Sequence, residues 1–483
     1  MARKIWTALL SFAFCFCFTH PAWASSNATL TFGEDGITET VAGSGYAIQG
    51  TELTISKAGV YELTGSCANG SIVVGGSLDN VTLVLGDLSL TATDTAPIVI
   101  KKSSNVTIHL EGSSTLTDAE DASTEETNSS FEGAAIKVKS GSAVTFCGDG
   151  TLTVNGSAKN GIKGAATSSL TFLQGTYNVS SANNGIAADG SILISGGSYT
   201  ITGDNDGIKS VPEADDADSA GNITITGGSF DIDVDGDGIQ AEHELSISGG
   251  TFAIKTLDGY QGASFDKDTM SCKGLKASGD REDVENIITV TGGSFVLDTA
   301  DDAVHSDEYL TVTGGSFDIN TGDDGMHADT SLILGTEGGT VDRDPYVVVT
   351  NSYEGLEAGT VYVYSGSYNV TSSDDGINAA GGSSDGANPG GGGDNFNPGG
   401  GRPGGGGFPG GNMRPFADEE TEGASLDAQA ASDYCIYLYG GNVYVNAYGD
   451  GLDSNGNIVL NGGNIEVWGA SAGDTSPSTA TAR

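Results

Sequence analysis

The chain has 483 residues, 64 Asp plus Glu against 19 Lys plus Arg, and a formal net charge of −45. So acidic a chain excludes nucleic acid and anionic membrane surfaces as partners, and it suits a protein that meets divalent cations outside the cell. Its apolar residues recur at a spacing of two rather than three and four, which excludes a helical repeat.

Residues 1–24 read as a secretory leader. Arg3 and Lys4 form the basic end, Ile5 to Phe18 the apolar centre, and Ala22-Trp23-Ala24 the cleavage signal. No later stretch is long and apolar enough to span a membrane. The expected location is outside the cell or on its surface, with the periplasm as an alternative. Cys67, Cys147, Cys272 and Cys435 remain after the leader. They could pair in three ways or stay as buried thiols, and spacing does not choose.

Residues 25–130 carry clear strands in a loose pattern, such as TLTFG, VTLVLGDLSL and VTIHLEG, and read as a cap with the first repeats. From 131 to 380 the pattern tightens. A corner recurs as NGIKG at 160, NGIAA at 184, DGIKS at 206, DGIQA at 237, KGLKA at 273, DAVHS at 302, DGMHA at 324, EGLEA at 354 and DGINA at 375. The unit is clearest at 310–329, LTVTGGSFDINTGDDGMHAD, where Gly325 follows Ala303 of the preceding copy by 22 residues. Leu310, Val312, Phe317 and Ile319 fall on one face of the strands, and Thr311, Thr313 and Asp318 on the other. One such unit cannot bury its apolar face alone. Stacked copies can, so the expected fold is all-β: a solenoid of parallel strands, a β-helix, with coils of about 22 residues and loop insertions at 211–220 and 256–271. Residues 381–432 are Gly, Pro, Asn and Asp and read as a loop without a core. The pattern resumes over 433–468, with a last corner DGLDS at 450. Residues 469–483 supply neither corner nor cap, so the natural chain is expected to run further or to end in an altered tail.

Stacking sets equivalent residues of neighbouring repeats roughly 4.8 Å apart. Two carboxylates at that distance repel by about 3.5 kcal/mol at an effective dielectric near 20, and by under about 1 in water. The corners stack Asp206, Asp237, Asp302, Asp324, Asp375 and Asp450 in one column and Asp204, Asp235, Asp301, Asp323 and Asp374 in the next, with Asp307, Asp329 and Glu242 just beyond. Oxygen ligands without Cys or His clusters suit Ca²⁺, which is the expected cofactor. The competing reading has these acids making solvated turns.

The residue two after the corner Gly forms a further column: Lys163, Lys209, Gln240, Lys276, His305, His327, Glu357, Asn378 and Asp453. Its bases are expected to neutralise the Asp columns. Lys209 and Lys276 are the candidates if one instead removes a proton from a uronate beside a metal. Tyr362 and Tyr364 on one coil match Tyr437 and Tyr439 on the next, which predicts a two-by-two tyrosine platform, with Tyr444 and Trp468 outward on the neighbouring face. Aromatic patches of this kind suit sugar rings, or serve only to stabilise strand pairing.

The leader, the first coils GVYELTG, VTLVLGDLSL and PIVIKKSSNVTIHLEG, the GGSF–DDGI repeats and the Gly-rich loop together resemble a family of exported bacterial carbohydrate-binding β-helix proteins, over about residues 30–468. The resemblance implies a right-handed parallel β-helix similar to that of pectate lyases. It also implies a calcium-containing, non-enzymatic binder of plant cell-wall polysaccharide such as cellulose or polygalacturonate, with metal ligands among corner acids such as Asp301, Asp302, Asp323 and Asp324. The tail departs from the family pattern. The expected function is therefore a secreted, calcium-binding, non-catalytic polysaccharide binder. A calcium-dependent polyuronate lyase is the alternative, and a surface adhesin or structural spacer the third reading.

Overall fold

The computed structural model describes residues 26–212, 220–261, 270–279, 281, 284–339, 344–380, 434–470 and 477–482. The leader at 1–24, the Gly/Pro-rich stretch at 381–432 and most of both insertions lie outside the described residues.

Alternation decides the local structure. In Tyr309–Thr321, Leu310, Val312, Phe317 and Ile319 are fully buried, Thr311 and Thr313 half-buried and Asp318 exposed. Each strand pairs in parallel with its equivalent in the next repeat. Ser198–Gly203 lies against Ser229–Val234, which lies against Thr251–Thr256, and each ladder keeps its core-facing aromatic and isoleucine in register. The phenylalanine of the GGSF phrase and its tyrosine equivalents therefore stack inside. Tyr177, Tyr199, Phe230, Phe252, Phe295 and Phe317 form a continuous column with centroids 4.4–4.9 Å apart. The buried tyrosine hydroxyls donate to carbonyls at the preceding turn, Tyr177 to Gln174 and Tyr199 to Gly196, each at 2.8 Å. That satisfies the one polar atom the column brings into the core.

The expectation of an open right-handed β-helix of 22-residue coils is corrected here. Strands such as Ile287–Thr299 and Tyr309–Thr321 run through the Gly-Gly corner without ending, so the ladders of adjacent faces fuse. All 40 strands of the described residues belong to one sheet, which closes around the core as a parallel β-barrel. The physical reason sits at the second corner glycine. Gly315 has φ +101°, and a Cβ there would lie 3.1 Å from the Gly293 carbonyl oxygen. The chain can thus bend without breaking the ladder. Among the described residues, antiparallel pairs are confined to the two ends: Ala28–Gly33 with Gly36–Val41, Tyr46–Gln49 with Glu52–Ile55, and Asn464–Ala470 with Pro477–Ala482. Cys67, Cys147, Cys272 and Cys435 are buried and none is joined in a disulfide.

Candidate functional site

The corner phrases form short strands that stack in one ladder. Its register runs Lys137, Lys163, Ala187, Lys209, Gln240, Lys276, His305, His327, Glu357, Asn378, Asp453. The corner glycine is required by close approach. A Cβ on Gly207 would sit 2.6 Å from the Gly238 carbonyl oxygen. Three residues upstream of the ladder stand the corner acids, and their first role is structural. Each Oδ1 accepts the backbone N–H of the next corner: Asp206 from Asp237 at 2.8 Å, Asp237 from Lys273 at 2.8 Å, Asp302 from Asp324 at 3.1 Å, Asp324 from Glu354 at 3.1 Å, and Asp375 from Asp450 at 2.7 Å. Asn184 takes the same part for Asp206. A carboxylate column is thus a vertical hydrogen-bond ladder that ties repeat to repeat.

Its charge is met from within over most of its length. Lys209 pairs with Asp206 at 2.7 Å, and Lys276 reaches back to Asp237 at 3.1 Å. Lys273 bridges Asp301 and Asp302 at 2.9 and 2.8 Å. Burial pushes Asp206 upward, with Asp237 adding to it. Burial works the same way on Asp302, but Lys273 and His305 together hold its carboxyl well below the usual range. His305 lies between Asp302 at 2.8 Å and Asp307 at 2.9 Å. His327 lies among Asp324 at 3.2 Å, Asp329 at 2.9 Å and Glu357 at 2.9 Å. The two rings stack at 4.9 Å. Burial opposes charge on His327, but these three carboxyls raise its pKa well above the ordinary value, so it is an imidazolium at neutral pH.

Two acid groups come close enough to share an ion. In each, ligand atoms of Asp301, Asp302 and Asp323, or of Asp324, His327 and Glu357, lie within 4.8 Å of one another. Neither fits Ca²⁺ well. Lys273 already occupies the first set, and the protonated His327 stands inside the second, where it offers a donor rather than a lone pair. The column beyond them differs. Asp374, Asp375, Asp450 and Asp453 have no Lys, Arg or His partner among the described residues, and the ladder there carries Glu357, Asn378 and Asp453. Burial, with Asp374, Asp453 and Asp450 nearby, pushes Asp375 to about 6. Burial and Glu357 push Glu354 to about 8. The donors at this end are all oxygens, which fits a hard divalent cation. Asp204 and Asp235 are exposed and stand outside the capping ladder.

The four tyrosines come together as their spacing predicts. Tyr362 is in register with Tyr437, and their centroids are 5.1 Å apart; Tyr364 and Tyr439 are 5.3 Å apart. All four rings are near parallel, with interplanar angles of 2–12°. Parallel rings this close cannot lie side by side in one plane, so they face one another. The array borders a cleft of about 550 Å³ lined by Glu337, Gly338, Tyr364, Tyr439, Gly440 and Gly441. Tyr444 and Trp468 lie on the neighbouring face but do not join each other. Tyr444 is in register with Glu466, and Trp468 with Asn446.

Sequence reasoning missed three features. Lys137, stacked on Val99 of the preceding coil, is the first charged residue of the ladder and precedes the first recognisable corner phrase. Lys273 substitutes for a corner acid. Tyr260, Tyr353 and Tyr448, all exposed, border a second cleft of about 340 Å³ with Thr321, Asn351 and Ser373. They come from three non-equivalent positions, so no period announces them.

Residues 49–325 match a family described as carbohydrate-binding domain-containing protein. A relative of that same description from Acetivibrio thermocellus is 33% identical over 139 residues, which is 28% of this chain and 48% of the relative. The match thus spans about half that relative's length. The solved structure of a polysaccharide lyase-like protein from C. thermocellum, a gadolinium derivative, is 23% identical and covers 65% of this chain and 98% of its own, with a TM-score of 0.40. That superposition is too loose to carry an argument.

Proposed function

The chain belongs to the carbohydrate-binding domain-containing protein family, and on that premise we propose that it is an exported, calcium-binding protein that holds plant cell-wall polysaccharide without cleaving it. The observation that carries the reading is the four-tyrosine array beside its glycine-lined cleft. Stacked rings are stiff and need little ordering when a chain docks, and a tyrosine carries both an apolar ring and a hydroxyl that can exchange hydrogen bonds with a sugar. The leader at 1–24 supports export. Calcium is assigned to the uncompensated acids Asp374, Asp375, Asp450 and Asp453, where an ion would relieve like-charge repulsion.

The non-catalytic reading is supported by the state of the two candidate bases. Lys209 and Lys276 are each engaged with a buried corner carboxylate. A proton-abstracting amine must be free and neutral, and these are neither open nor unpaired.

The test is retention of the mature chain on insoluble cellulose and on polygalacturonate, with calcium and with chelator, while the supernatant is followed near 235 nm for unsaturated product. Retention without product is expected, and it should be lost in the double variant Tyr437→Ala, Tyr439→Ala. Product release would overturn the non-catalytic reading. Undiminished retention of the double variant would remove the tyrosine array from the site.

A further inference from the structure

A third cleft, of about 400 Å³, opens where the charged part of the corner ladder begins, among Phe131, Lys137, Lys159, Asn160, Lys163 and Asn184. It lies within the family match, whereas the tyrosine array lies outside it. Lys137 and Lys163 are direct register partners on adjacent strands, an arrangement in which like charges destabilise. Three lysines here have their own carboxylates: Lys139 has Glu132, Lys163 has Asp189, and Lys159 has Glu125 at 2.5 Å. Lys137 does not; its ammonium makes no hydrogen bond or ion pair among the described residues. Glu120, which feels the Lys137 charge, is engaged by the backbone N–H groups of Glu132 and Gly133 at 2.9–3.1 Å.

The same cleft holds the opposite kind of group. Asn160 is only 5% exposed. Its Nδ2 donates to the Gly133 carbonyl at 3.1 Å, but its Oδ1 has no donor. A buried amide oxygen left without a partner costs about 1–3 kcal/mol, so it needs an explanation. A ligand that answers both groups must bring an anionic acceptor and a hydroxyl donor. A simple carboxylate such as acetate lacks the donor, and a neutral sugar lacks the charge.

From this we infer that the cleft binds a sugar acid, its carboxylate accepting from the Lys137 ammonium and a ring hydroxyl donating to Asn160 Oδ1. Phe131 offers an apolar surface for the ring. Burial, and then the ammonium groups of Lys139 and Lys163, push Lys137 down to about 8. It is still a cation at neutral pH, and one that a bound carboxylate would hold protonated. A chain of net charge −45 repels anions in general, so binding here would be local rather than a diffuse effect. The choice of a sugar acid over another hydroxy acid rests on the carbohydrate-binding reading; the cleft and its two groups do not.

The experiment titrates the mature chain with galacturonate, trigalacturonate and galactose by calorimetry at pH 6.5, then repeats galacturonate up to pH 9.5. Galacturonate should bind at least tenfold tighter than galactose, and its affinity should fall between pH 7 and 9.5 as Lys137 loses its proton. Lys137→Met should lose at least tenfold in affinity while keeping its melting temperature and its retention on cellulose. Lys137→Arg, which stays charged, should keep binding and lose the pH-dependent fall. Tighter binding of trigalacturonate assigns the cleft to a polymer and equal binding to a free acid; both uphold the inference. Galacturonate binding no tighter than galactose overturns it, as does unchanged binding by Lys137→Met or a fall with pH that persists in Lys137→Arg. Loss of cellulose retention in the tyrosine variant, with galacturonate binding intact, bears only on the tyrosine array.

Discussion

The two ends of one ladder carry opposite charge problems. Where its charged part begins, Lys137 and Lys163 sit side by side, and Lys137 has no carboxylate partner among the described residues. At the far end, Glu357, Asn378 and Asp453 follow one another beside Asp374, Asp375 and Asp450, and among the described residues no basic side chain pairs with those four Asp residues. Between them every buried corner acid is met: Asp206 by Lys209, Asp237 by Lys276, Asp302 by Lys273 and His305, and Asp324 by His327. Uniform backbone geometry therefore does not mean uniform chemistry. The middle is internally neutralised and reads as scaffold, and each end is left to be completed by something of opposite sign.

The largest effect should come from breaking the neutralised middle. Asp302→Ala leaves Lys273 and His305 buried with one partner fewer and removes the cap on the Asp324 N–H. It should cost about 3–5 kcal/mol in denaturant unfolding. A loss below about 1 kcal/mol would show that the middle does not depend on its ion pairs. Next comes calcium at the acidic end. At 100 times its dissociation constant the ion should stabilise by about 2.7 kcal/mol, seen as a raised melting temperature that chelator reverses. The gain should vanish in Asp375→Asn, Asp450→Asn and persist in Asp301→Asn; the reverse pattern would place the ion in the middle.

The pH dependence separates the two regions by sign. His327 has a raised folded pKa, so its contribution is fully present below its unfolded value near 6.5 and is lost as pH rises through the folded value. Glu354 is a carboxyl raised to about 8. Its folded form costs stability once pH passes the unfolded value near 4.3, and the cost levels off above about 8. Glu354→Gln should therefore stabilise at pH 8 by on the order of 1 kcal/mol, about 2 °C in a domain of this size, and do nothing at pH 4. A gain equal at both pH values would remove ionisation as the cause. The smallest effect belongs to the exposed pair Lys159–Glu125. Lys159→Ala should cost under about 1 kcal/mol, and less in high salt.

Much of this was legible from the repeat. A period in sequence becomes a column in space because a parallel ladder sets equivalent residues in register. That is why Lys163, Lys209, His305 and Glu357 could be placed in one line, and why Tyr362, Tyr364, Tyr437 and Tyr439 could be brought together across 75 residues from Tyr362 to Tyr437. What a column does is not periodic. Lys276 reaches back to Asp237 of the preceding repeat, and Lys273 forward to Asp302 of the following one. Flexible side chains choose between neighbours a strand spacing apart, and only their packed positions decide the choice.

The amino-acid sequence by itself determined the all-β class, the stacking partners, the acidic and basic columns and the tyrosine array, because alternation and register are local rules applied over and over. Tertiary structure alone decided the rest. The sheet closes as a barrel because glycines at the corners let long strands bend without ending. The tyrosine rings face one another because their strands hold them too close to lie flat. The corner acids cap the next repeat's backbone, and Lys137 is left without a carboxylate. Which charges find partners is a matter of distance and burial, and no spacing along the chain encodes either.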